Sequence, residues 1–146
     1  MRRAALAIAG LVLAAQAFAC GHCVEDRVAA AYDHGVVMHA LERRHEVAFL
    51  AIEGKLAANR KLRNALTAAL ESTRGVDRGT SRVALEQASL SFAYDPEGQQ
   101  PLAAIIRSLQ RKLASSGLRL SMLRVVNDAP MAATTAGPVA SASVAR

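Results

Sequence analysis

Along the chain the spacing of apolar positions changes several times, and each change marks an element. Over 24–44 the residues Val24, Val28, Ala31, Gly35, Met38 and Leu41 recur every three or four positions. That spacing places them on one helical face and predicts a helix with Gly35 as its weak point. At His45 the pattern shifts: Val47, Phe49 and the apolar run to Ile52 suit a strand, which Glu53 and Gly54 close. Leu62, Ala65, Leu66, Ala69 and Leu70 predict a second helix over 59–73, stopped at Gly75. Two alternating stretches, 82–86 and 90–94, predict a hairpin turning through 87–89, and Asp95-Pro96-Glu97-Gly98 supplies the turn chemistry that ends it. Pro101 sits in the first turn of a third helix, where its missing N–H costs nothing. Leu102, Ile105, Ile106, Leu109 and Leu113 form the apolar face of that helix, Gly117 ends it, and 118–126 offers a last strand.

From His45 onward the order is strand, helix, strand, strand, helix, strand. Two strand-helix-strand halves with right-handed crossovers give an α+β, ferredoxin-like βαββαβ sandwich, a four-stranded antiparallel sheet with two helices on one face. The helix over 24–44 precedes it as an extra N-terminal element. The expected core sets Leu62, Leu66, Leu70, Ile105, Leu109 and Leu113 on Val47, Phe49, Val83, Leu85, Leu90 and Phe92. This makes 45–126 a self-sufficient domain. The other face of such a sheet needs cover, from the N-terminal helix, from a protein partner or from a second copy of the chain.

Both ends read differently. Residues 1–19 combine a cationic start (Arg2, Arg3), an apolar stretch and the small-residue ending Ala17-Phe18-Ala19, the three parts of a cleavable secretory signal peptide. The expected mature protein begins at Cys20 in the periplasm. Acylation of Cys20, as in a bacterial lipoprotein, is the alternative that would attach the chain to a membrane. From 127 to 146 the chain is mostly Ala, Thr, Ser, Gly and Pro and reads as a disordered tail. Cleavage would leave 16 basic against 12 acidic residues. That balance is mild, its cations (Arg60, Lys61, Arg63, Arg74, Arg78, Arg82) are dispersed, and no tryptophan is present to stack on bases, so nucleic acid is not an expected partner.

The chemistry concentrates in one short stretch. Both cysteines and all four histidines fall within 20–45. Cys20-Gly21-His22-Cys23 places two thiols, separated by two residues, at a helix start, where the dipole and unpaired N–H groups favour thiolate. Such a pair suits a soft cation, Cu(I), Zn(II) or Hg(II). Two ligands satisfy linear Cu(I) or Hg(II), whereas a closed zinc site wants four. His22 is the candidate third ligand, and His34, Met38, His39 and His45 are more distant donors. The same tetrapeptide is identical to the active-site motif of protein disulfide isomerases, so a thiol-disulfide redox role or a structural disulfide is a second reading. A module that binds a protein rather than a metal is the third. Neither a phosphate loop nor a Gly-x-Ser-x-Gly elbow is present, and the chain offers no catalytic constellation beyond the cysteine pair.

Three further stretches stand out: Gly75-Val76-Asp77 leading into 81–86, Phe92-Ala93-Tyr94-Asp95-Pro96, and Ile105-Ile106 through Leu113 to Gly117-Leu118. Together they resemble the heavy-metal-associated domain family of copper chaperones, mercury-binding proteins and metal-pumping ATPases. The resemblance covers 45–126 and implies the ferredoxin-like fold with soft-metal binding. In that family the cysteine pair lies in the loop after the first strand. Here that loop is Gly54-Lys55-Leu56-Ala57-Ala58, and the resemblance therefore implies a ligand pair displaced to Cys20 and Cys23.

Overall fold

A computed structural model of the chain describes residues 23–127. Its elements are α1 (Val24–Ala30), α2 (His34–Glu42), β1 (Glu46–Glu53), α3 (Arg60–Glu71), β2 (Arg82–Ala84), β3 (Ser89–Tyr94), α4 (Leu102–Leu113) and β4 (Arg119–Val126). The strands form one antiparallel sheet in the order β2-β3-β1-β4. With α3 and α4 as the two crossovers, this is the ferredoxin-like α+β fold. Residues 1–19, expected as a signal peptide, Cys20, His22 and the stretch after Asn127, expected as a tail, lie outside the described residues.

The second half follows the apolar stripes closely. Asn59 caps α3 by accepting from the Leu62 N–H at 2.9 Å, and Leu66 and Leu70 are its buried residues. Pro101 is the N-cap of α4, which buries Ile105, Leu109 and Leu113. These residues form one core with Ala48, Leu50 and Ile52 of β1 and Leu90, Phe92 and Tyr94 of β3. Burial of each large side chain contributes roughly 1.5–3 kcal/mol relative to exposure.

The first half departs from the expectation in two ways. The helix over 24–44 is two helices, broken at Tyr32 and Asp33 rather than at Gly35. Asp33 takes an extended conformation and its Oδ1 accepts the Val36 N–H at 3.1 Å, so it starts a new helix in place of continuing the old one. The break rotates the buried face. Val28, Ala31, Val37 and Ala40 are buried, whereas Val24 and Met38, expected inward, are exposed.

The second departure concerns β1. Val47 and Phe49 do not pack under α3 and α4; with Ala93 they form a separate core against Val28, Ala31, Val37 and Ala40. Alternate side chains of a strand point to opposite faces, and both faces of β1 are covered. Helices α1 and α2 thus fill the side of the sheet for which a partner or second copy was an alternative cover.

α1 and the turn after it cross the sheet along one transverse row. Arg124, Phe49, Ser91 and Arg82 are successive cross-strand partners on β4, β1, β3 and β2. Above them Glu25 pairs with Arg124, Tyr32 stacks on Phe49 with ring centroids 6.3 Å apart, Ser91 Oγ donates to the Ala31 carbonyl at 2.7 Å, and Asp33 accepts from Arg82 Nε at 2.8 Å. The N-terminal layer is fixed to each strand in turn.

Candidate functional site

Of the three proposed ligands, Cys23 is described, and it stands at the N-cap of α1 in an exposed position. Its carbonyl accepts the Arg27 N–H at 3.2 Å, the first bond of the helix. Glu25 and Asp26 occupy the first turn. Their negative charge opposes a thiolate there, and the ion pair of Glu25 with Arg124 offsets part of it. Since Arg124 lies opposite Phe49 in mid-strand, the end of the cysteine motif is held on the β4 side of the helical layer.

The more distant donors do not assemble with one another. His34 opens α2, and its Nδ1 lies 3.3 Å from the Tyr32 hydroxyl. Met38 and His39 are exposed on the same helix. His45 is engaged elsewhere: its Nδ1 lies 2.6 Å from Asp77 Oδ2, with both side chains largely covered. Asp77 is itself fixed, because its N–H donates to the Ala93 carbonyl at 2.9 Å and its own carbonyl accepts from the Thr80 hydroxyl at 2.7 Å. His45 therefore ties the start of β1 to the approach to β2. Among the described residues no three His, Cys, Asp or Glu side chains come together as a metal-holding group.

The loop that carries the metal in the resembling family does not fit one here. It borders a shallow depression of about 280 Å³ lined by Lys55, Ala57, Asn59, Lys61, Leu62, Ala65, Ser116 and Leu118. The lining has neither thiol nor imidazole, and two ammonium groups repel a cation. The loop is also closed from behind: a Cβ on Gly54 would lie 2.9 Å from the Gly117 carbonyl oxygen.

One further polar pair sits next to His45. The Tyr94 hydroxyl donates to the Glu46 carboxylate. Burial, and then the neighbouring negative charge, push this phenol well above its ordinary range, so it remains a neutral donor. Sequence reasoning missed both this pair and Asp77 as the partner of His45. The partners are 48 and 32 positions apart, and nothing local signals either contact. Among the described residues, no helix is long and apolar enough to cross a membrane.

Neither a family model nor a curated protein matches the chain. Among solved structures, the crystal structure of oxidized MerP from Ralstonia metallidurans CH34 is similar to it. The TM-score is 0.41 at 15% identity, over 55% of this chain and 99% of that one. The strand order establishes the fold independently of that likeness, and no function is carried across from it.

Proposed function

We propose that this chain is an exported, non-enzymatic protein that binds a soft metal ion, Cu(I) or Hg(II) before Zn(II), through the thiolates of Cys20 and Cys23 with His22 as third ligand. The observation that supports this reading is where the motif ends. Cys20-Gly21-His22-Cys23 runs directly into α1, and α1 is anchored on the sheet by Glu25 with Arg124 and by Ser91 with Ala31. Cys23, the N-cap of a helix so anchored, is exposed, which suits transfer of the ion to another carrier. Thiolate softness selects the metal class, and two or three donors match the low coordination numbers of Cu(I) and Hg(II).

Competition against a Cu(I) chelator on the reduced protein tests the proposal. The expected result is one equivalent held by the parent, none held after Cys20→Ser with Cys23→Ser, and weaker retention after His22→Ala. Unchanged binding in the double serine variant overturns the assignment. Absence of binding combined with turnover of a scrambled disulfide substrate would assign the pair to thiol-disulfide exchange instead.

A further inference from the structure

The basic residues that look dispersed in the sequence are not all dispersed in the fold. Ala104, Arg107, Ser108 and Arg111 share one face of α4, and with Gln100 and Arg74 they line a depression of about 230 Å³. Helix α4 contains no acidic residue. Arg107 and Arg111 are therefore like charges one turn apart, an arrangement that mildly opposes the helix unless an anion lies between them.

The placement of Arg74 is set by backbone packing. Gly75 has φ +94°, and a Cβ there would lie 2.8 Å from Ile105 Cδ1 and 2.9 Å from Gln100 Cβ. The chain at Gly75 thus lies directly on α4, which brings the neighbouring Arg74 to the rim beside Arg107 and Arg111. Ala104 supplies a small side chain in the lining, which leaves the depression open.

Among the described residues, none of the three guanidinium groups has a carboxylate counter-ion. Ion pairs among the described residues use Arg63, Arg82 and Arg124 for their cations. Two carboxylates, Asp77 and Asp95, line an adjoining depression that shares Arg74 and Gln100. Asp77 is taken by His45, and Asp95 Oδ1 accepts the Glu97 N–H at 2.9 Å. A net positive concavity remains, with a hydroxyl and an amide as further donors.

We infer that this depression binds a phosphate-type oxyanion, with Arg74, Arg107 and Arg111 as charged donors and Ser108 and Gln100 as neutral ones. Guanidinium groups match tetrahedral oxyanions through paired N–H donors. The oxyanion is supplied either by free phosphate or by the phosphodiester of an anionic lipid headgroup. The site lies on the α3/α4 side of the sheet, opposite α1 and α2, and does not depend on metal binding.

The test uses calorimetric titration with inorganic phosphate at low salt, and co-sedimentation with phosphatidylcholine vesicles with and without phosphatidylglycerol. Arg107→Gln with Arg111→Gln should weaken binding about tenfold or more. Ala104→Leu, which fills the depression without changing charge, should weaken it as well. Arg60→Gln with Lys61→Gln, an equal charge loss on α3, should have little effect. Dependence of vesicle binding on Arg107 and Arg111 identifies the headgroup as a source, and a response to phosphate alone identifies the free ion. Binding of neither probe overturns the site. An equal loss from the α3 pair, or no loss from Ala104→Leu, overturns it too, because attraction would then follow overall charge.

Discussion

The hydroxyl of Ser91, in the middle of β3, donates to the carbonyl of Ala31 at the end of α1 across 2.7 Å, and both residues are buried. A helix of seven residues is too short to persist in water by itself. Its order comes from this bond and from its neighbours along the same row of the sheet. Ser91→Ala leaves the Ala31 carbonyl buried without that donor, a loss of about 1–3 kcal/mol. Denaturant unfolding should show that loss, and hydrogen exchange should rise in α1 before it rises in α3 or α4.

At the other end of the break, Asp33 caps α2 and meets Arg82. The Val36 N–H, and then the Arg82 guanidinium, hold its carboxyl below the usual range. A depressed folded pKa contributes stability that is present above the unfolded pKa and is lost as pH falls through the folded pKa. Asp33→Asn keeps the cap and removes the charge, so the parent should be the more stable at neutral pH. The difference should vanish in acid below the ordinary aspartate range. Asp33→Ala, which removes the cap too, should be the less stable of the two variants at every pH. Melting curves of the three proteins across the acid range check both statements.

Gly75 and Gly79 share a positive φ but differ in surroundings. A Cβ on Gly79 meets nothing within 4 Å, whereas one on Gly75 collides with Ile105 and Gln100. Gly79→Ala should cost about 1–2 kcal/mol, the conformational term alone. Gly75→Ala should cost about 2–4 kcal/mol, because overpacking is added. Equal losses in denaturant titrations would mean that the turn moves freely away from α4.

The cysteines and the helices that follow them should separate in their effect on stability. Cys20→Ser with Cys23→Ser should melt within about 4–8 °C of the parent, the shift that about 1 kcal/mol produces in a domain of this size. Removal of residues 23–42 should act far more strongly. It strips Val28, Ala31, Val37 and Ala40 from Val47, Phe49 and Ala93, and each large apolar side chain so exposed costs about 1.5–3 kcal/mol. Thermal melting with a hydrophobic dye as a second probe distinguishes the two variants.

The second half of this fold was legible because its helices carry complete signals: Asn59 and Pro101 at the starts, Gly117 past the end, and stripes of Leu and Ile between them. The first half carried weaker ones. Asp33 interrupts a period that otherwise runs through, and its capping role depends on the extended backbone it adopts. In β1 the unbroken apolar run from Val47 to Ile52 did signal a strand covered on both faces. Reading it against a single helical layer put Val47 and Phe49 on the wrong side. The candidate site was legible as a motif and not as a place, since contacts such as Glu25 with Arg124, 99 positions apart, leave no local mark. The same holds for Arg74, which the chain reversal at Gly75 sets beside α4.

The central claim is that Cys20 and Cys23 hold a soft metal ion, and a native mass spectrum of the exported, reduced protein offered Cu(I) tests it most directly. One spectrum gives the cleavage point, any lipid on Cys20 and the number of ions bound. The expected species starts at Cys20, carries no lipid and retains a single copper that is absent from the double serine variant. A protein that stays metal-free under these conditions, or that retains its copper when both cysteines are serine, would contradict the claim.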